Sequence, residues 1–130
     1  MKYLPDVNAL VALGIFHHGF HDRVNAWITS QKGAQWLTCS ITEIGFVRVS
    51  ARTPDYGFTV QQARTLLLRL KTNSRLAFTL LPDSNDISSL PAWVKNPKQI
   101  TDGHLVQLAS ANGAVLATLD KGIPGAFLIP

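Results

Sequence analysis

The stretch Ile100 to Gly122, ITDGHLVQLASANGAVLATLDKG, constrains the fold more than any other part of the chain. Thr101 reads as a helix N-cap, and Asp102 falls in the first turn, where a carboxylate suits the positive end of the helix dipole. Leu105, Val106 and Ala109 follow Asp102 by three, four and seven positions and so share its face. Asn112-Gly113 is a stop signal, because glycine accepts the left-handed conformation that closes many helices. Val115 to Leu119 then reads as a short buried strand, and Asp120-Lys121-Gly122 as the loop that ends it. A helix of about eleven residues climbs roughly 16 Å, and a strand of about five returns the same distance. With the strand running back beside the helix, Asp102 and Asp120 finish together at its carboxyl edge, where open α/β sheets hold their ligands.

The rest of the chain supplies more units of this kind. Tyr3 to Asp6 reads as a first strand ending in an acid, with Pro5 placed where it need not donate to a ladder. Asn8 to His18 is apolar nearly all round and predicts a buried helix. His17, His18 and His21 are read as a solvated helix end and loop in preference to a metal site. Asp22 to Gln31 is an amphipathic helix with Val24, Trp27 and Ile28 inward, followed by a strand over Gln35 to Cys39. Ser40-Ile41-Thr42-Glu43 matches the S-x-x-E capping box and opens a helix through about Arg52. After a turn-rich loop, Thr59 to Thr72 reads as a long helix, Arg75 to Leu81 as a third strand and Ala126 to Ile129 as a last one. Residues 82 to 99 hold three prolines and a short helical turn. Strands alternating with helices predict an α/β fold with a parallel sheet sandwiched between helices, formed as one domain over residues 1–130.

Composition narrows the function classes. No apolar run is long enough to span a bilayer, no signal peptide is evident, and the single Cys39 fits a reducing compartment; a cytoplasmic location is the simplest expectation. Twelve Lys and Arg against eight acids give a net charge of +4, which favours a polyanionic partner but is equally compatible with a basic soluble protein. Trp36, Phe58 and Trp93 fall at or near loops, where they could anchor a partner or close the domain's own core. Glu43 is the only glutamate in the chain, although exposed helix faces use that residue freely.

Taken singly, each of four acids has an ordinary explanation: Asp6 as a turn or cap, Glu43 as the capping-box partner, Asp102 serving the dipole, Asp120 in a loop. Their joint placement argues for more. All four sit at a strand's carboxyl end or in the first turn of the helix beyond it, and so point to one rim. Phe46 and Val47 follow Glu43 as Leu105 and Val106 follow Asp102, which puts both acids on inward faces. Carboxylates there are costly without a counter-charge. Basic residues are scarce in these windows, so a divalent cation is the expected counter-ion.

DVNAL at Asp6–Leu10, SITEIGFVR at Ser40–Arg48, TDGHLVQLA at Thr101–Ala109 and TLDKG at Thr118–Gly122 resemble, in order, the successive motifs of PIN-domain proteins. They are similar in particular to the VapC-type ribonuclease toxins of prokaryotic toxin–antitoxin pairs. The resemblance implies a three-layer α/β/α fold around a central parallel sheet of four to five short strands. It also implies a Mg²⁺- or Mn²⁺-dependent endoribonuclease, an RNA substrate, a cognate VapB-like antitoxin that blocks the rim, and a homodimer. By the same resemblance the metal-binding acids are Asp6, Glu43, Asp102 and Asp120. Thr118 matches a polar position that supports the last acid, and Asn8 a polar position beside the first. His104, two residues from Asp102, is read as a surface histidine in preference to a substrate contact.

Hard oxygen donors suit Mg²⁺, and a basic excess can hold an RNA backbone without reading its bases. Two other readings compete. A phosphoacceptor or phosphatase domain also places an Asp after its first strand, but the dehalogenase pattern needs a second Asp where Asn8 stands. A catalytically inactive PIN-like binding module has no reason to keep all four acids.

Overall fold

In a computed structural model describing residues 1–130, period-two alternation along the strands divides the core into two layers. Tyr3, Trp36 and Ala117 face one side, and their neighbours Leu4, Leu37 and Leu116 face the other. The strands are β1 (Lys2–Pro5), β2 (Gln35–Thr38), β3 (Thr79–Leu80), β4 (Val115–Thr118) and β5 (Phe127–Leu128). All pair in parallel, in the order β3-β2-β1-β4-β5.

The five helices are α1 (Val7–Gly14), α2 (His21–Ser30), α3 (Ser40–Arg52), α4 (Val60–Lys71) and α5 (Ile100–Ala111). The first four contribute Leu10, Val24, Trp27, Phe46 and Leu67 to the Tyr3 side, where Tyr3 stacks on Trp36 at 5.3 Å and meets Trp27 edge-on at 4.9 Å. On the opposite face α5 lays Leu105, Leu108 and Ala109 against Leu4 and Leu116. Three layers result, as expected. No helix is long and apolar enough to cross a membrane.

The chain winds outward from β1 in one direction through β2 and β3, then crosses back to add β4 and β5 on the other side. The reversal lies between β1 and β4, and such a switch point opens a crevice at the carboxyl ends of the strands. Pro5 is the last residue of β1, opposite Ala117, and the ladder continues past it when Asp6 N–H donates to Ala117 O at 2.9 Å. Two close approaches shape the rim. A Cβ on Gly45 would stand 2.4 Å from Val7 Cγ2, so only glycine lets the starts of α3 and α1 meet. A Cβ on Gly103 would stand 2.3 Å from Val94 Cγ2, where the segment after β3 crosses α5.

Several local expectations are corrected. The S-x-x-E box does not form: α3 is capped one residue earlier, by Cys39, whose N–H donates to Thr42 Oγ1 at 3.0 Å. Thr101 is not a cap either, because a 3-10 turn at Pro97–Gln99 runs directly into α5 and leaves Gln99 at its head. The first helix ends at Gly14, before the histidines. The third strand shrinks to two residues, because Ala77 adopts a left-handed φ of 46° within a turn closed onto Asn73 O. Trp36 is a core residue with 3% exposure, which removes it as an anchor; Phe58 and Trp93 are half-buried.

Candidate active site

Asp6 occupies the switch point, leaving β1 and capping α1. Its Oδ1 accepts from Ala9 N–H at 2.9 Å, so the ordinary reading of this acid as a helix cap is correct and incomplete. Its Oδ2 accepts from Thr118 Oγ1 at 2.5 Å. Thr118, the buried last residue of β4, also accepts from Asp120 N–H at 3.0 Å and thereby ties two of the acids to one hydroxyl. Asp120 is exposed, with Oδ1 accepting from Gly122 N–H at 2.8 Å.

Electrostatics links these residues to Asp102. Burial raises the Asp6 pKa above the ordinary carboxylate range, against the lowering effect of its bonds from Thr118 and Ala9, and the charges of Asp102 and Asp120 raise it further. Asp102 is raised by burial and by Asp120, and no hydrogen bond to its carboxylate opposes the shift. Neither Asp6, Asp102 nor Asp120 has a Lys, Arg or His within ion-pair distance. Three acids from three elements therefore lie near enough to influence one another electrostatically, with no paired cation among them.

Glu43 is placed differently. It lies at the rim one strand over, beyond β2, but it stands outside the mutual repulsion of the other three. Lys71 Nζ, at the end of α4, lies 2.6 Å from Glu43 Oε2, and Thr38 Oγ1 donates to the same oxygen at 2.5 Å. Basic residues are scarce near the acids in sequence, and the cation beside Glu43 comes instead from the far end of α4. Asn8 is exposed on the first turn of α1.

Sequence reasoning missed Lys71 and Thr38. Thr38 had a legible signal: like Thr118 it ends a strand whose following residues include one of the acids, and both hydroxyls are buried and spent on a carboxylate. His104 pairs with Asp83 through Nε2 and Oδ2 at 2.5 Å, clasping the segment after β3 to α5. His21 Nδ1 lies 2.8 Å from Ala12 O and His18 Nδ1 accepts from Phe20 N–H, so these rings serve the backbone of the loop.

The donors are carboxylate oxygens, the type a hard cation takes. Asp102 has all its lone pairs free, while Asp6 and Asp120 retain acceptor capacity beyond the bonds they make. No three His, Cys, Asp or Glu side chains form a ready-made metal cage. An ion that keeps several of its waters and takes few carboxylates matches such an open arrangement, and Mg²⁺ is of that kind. Beside Glu43 a groove of about 470 Å³ opens between α3 and α4, lined by Ile44, Val47 and Leu68 with Arg48 and Arg64 among them.

A parallel α/β/α sandwich with an uncompensated acidic crest at its switch point defines a PIN-type domain. The chain belongs to the VapC ribonuclease family. It is 36% identical to ribonuclease VapC38 of Mycobacterium tuberculosis over 122 residues, covering 92% of this chain and 86% of that protein. It is also 36% identical to ribonuclease VapC44 of the same organism over 129 residues, or 95% and 89% of the two chains. No family profile matches the sequence. Among solved structures, the crystal structure of VapBC2 from Rickettsia felis bound to a DNA fragment from their promoter shares the fold, with a TM-score of 0.58. That match has 16% identity and covers 98% of this chain and 97% of the other.

Proposed function

We propose that this chain is the endoribonuclease toxin of a VapBC-type toxin–antitoxin pair, cleaving RNA phosphodiester bonds with Mg²⁺ or Mn²⁺ held by Asp6, Asp102 and Asp120 while Glu43 completes the acid rim. The observation that carries the metal reading is the trio itself. Asp102 is half-buried with neither a hydrogen bond nor an ion pair, and burial together with the Asp120 charge raises its proton affinity, as burial and the charges of Asp102 and Asp120 raise that of Asp6. Such a cluster is costly until a cation neutralises it.

Held by Asp6, Asp102 and Asp120, a divalent ion would supply a lowered pKa for a bound water and stabilisation of negative charge on the attacking and leaving oxygens. The protein's own part is to hold the acids: the Thr118 hydroxyl fixes Asp6 and the Asp120 backbone together, and Gly45 lets α3 approach α1. Arg48 and Arg64 along the α3–α4 groove offer charge to the phosphates of an RNA strand entering past Glu43.

The partners follow from the same reading. A VapB-like antitoxin covers the rim and presents a cation to it, most suitably an arginine, whose planar fork matches a carboxylate. The chain forms a homodimer, in keeping with large apolar side chains left exposed away from the groove, such as Phe16 at 85% and Phe20 at 48%.

The test is cleavage of single-stranded RNA by purified protein, alone and with the antitoxin encoded beside its gene. Cleavage should require Mg²⁺ or Mn²⁺, stop with EDTA and stop again on adding the antitoxin. Intact RNA under every metal condition would leave the inactive binding module as the better reading.

A further inference from the structure

Of the four rim acids, Glu43 alone has a cation beside it, and several features hold that cation in place. Lys71 sits in the last turn of α4, where the helix dipole favours positive charge. Its carbonyl accepts from Phe78 N–H at 3.0 Å, fixing the end of the helix to the chain that enters β3. On the other side, Thr38 gives its hydroxyl proton to the same carboxylate oxygen that Lys71 contacts. Thr38 is fully buried, and the Lys71 and Glu43 side chains retain only 18% and 23% of their exposure. A loosely solvated surface pair has neither this cover nor a buried hydroxyl behind it.

The rim is therefore divided in charge. Asp6, Asp102 and Asp120 form an uncompensated group around β1 and β4, while Glu43 beyond β2 is already neutralised by a side chain of the protein. Two-metal phosphodiester sites use a second ion to share the charge of the attacking and leaving oxygens. An ammonium held at one end of the rim can meet part of that demand, and it repels a second divalent ion from the carboxylate it occupies.

Building on the metal-dependent reading above, we propose that Lys71 supplies the second positive charge of the site, so that the rim binds one divalent ion where four free acids would draw two. Glu43 is then a positioning residue that keeps Lys71 at the rim, and the ion belongs to Asp6, Asp102 and Asp120.

The test counts Mn²⁺ ions on the full chain, by calorimetric titration together with the spin-resonance signal of bound Mn²⁺. Wild type should hold one ion per chain. Lys71→Gln, which keeps a long stem, should acquire a second ion at least tenfold more tightly than any second ion on wild type, and Lys71→Gln with Glu43→Gln should return to one. Lys71→Arg keeps the charge and should stay at one. Glu43→Gln alone reports independently of how well the Lys71 variants fold: it should leave the affinity of the single ion within about threefold. Two ions on wild type, one ion on a folded Lys71→Gln, or a tenfold weaker ion on Glu43→Gln would each overturn the role of Lys71 and leave metal dependence standing. A wild type that takes up no Mn²⁺ overturns both.

Discussion

Thr118 and Asp6 lie 112 positions apart in sequence and 2.5 Å apart in space, joined by a hydroxyl that donates to the one residue and accepts from Asp120. This oxygen makes β4 and β1 a single binding edge. Thr118→Val keeps the shape and removes both bonds, leaving Asp120 N–H without its acceptor and Asp6 without a partner that favours its charged form. The expected cost is about 1–3 kcal/mol of stability. Metal affinity should fall about 10- to 100-fold, the usual effect of losing a group that orients a ligand. Thr118→Ser should recover most of both, and denaturant titrations with Mn²⁺ binding on the three proteins check it.

Asp6→Asn should abolish RNA cleavage while stabilising the metal-free protein. Burial first, then Asp102 and Asp120, hold the Asp6 pKa above its model-peptide value of 3.8, so the native state keeps this proton to higher pH than the unfolded chain does. Stability conferred by that proton is present below the unfolded value and is lost as pH rises through the native one. Asn caps a helix as well as Asp and carries no charge to desolvate. The gain should be about 1 kcal/mol at pH 7 in EDTA and should shrink toward pH 4. Denaturant midpoints at the two pH values measure it, and a variant less stable than wild type at pH 7 would show that Asp6 is already compensated.

The division between what was legible in the sequence and what was not has a physical basis. Asp6 and Asp120 could be placed from chain order, because each follows a strand's carboxyl end within two residues, and Asp102 because α5 leads into β4, which runs back beside it and brings the helix head to the same edge. The Glu43–Lys71 pair could not, since it depends on the angle at which α4 returns over α3. Helix heads were misplaced for a local reason. Thr42 hydrogen bonds to Cys39 satisfied the start of α3 without Ser40, and a 3-10 turn opened α5 before Thr101 was reached. Of the two readings of Trp36 the core one holds, because a residue next to a loop in sequence can still point into a core, here against Tyr3 and Trp27.

Since Thr42 is the partner of the Cys39 cap of α3, Glu43 is free of that duty, and the two positions should separate stability from activity. Thr42→Val removes a buried hydroxyl that accepts from Cys39 N–H and should cost about 1–2 kcal/mol with little effect on activity per folded molecule. Glu43→Gln keeps an oxygen that can accept from Thr38 and loses the ion pair to Lys71, so it should cost about 1 kcal/mol of stability or less. Its cleavage rate should fall about 10- to 100-fold, because Lys71 loses the carboxylate that holds it. Thermal melts paired with single-turnover cleavage distinguish the two, and an unstable Glu43→Gln would mean that the side chain carries structural weight that the Cys39–Thr42 cap does not.

Gly45 tests whether the approach of α3 to α1 sets the rim. In Gly45→Ala the new methyl group would meet Val7 Cγ2 at 2.4 Å, closer than real Cβ contacts come, and Val7 is a stiff β-branched residue in the first turn of α1. The helix heads must part, which should cost about 1–3 kcal/mol, as overpacking does. Any shift moves Asp6 relative to Glu43, since each acid lies within two residues of the contact. Activity per folded molecule should therefore drop as well, although neither the substituted nor the contacted residue is one of the four acids. Adding Val7→Ala removes the obstructing methyl groups, so the double variant should regain stability and cleavage relative to Gly45→Ala alone. Recovery of the fold without recovery of cleavage would assign the loss to Val7 itself and separate the helix contact from the geometry of the acids.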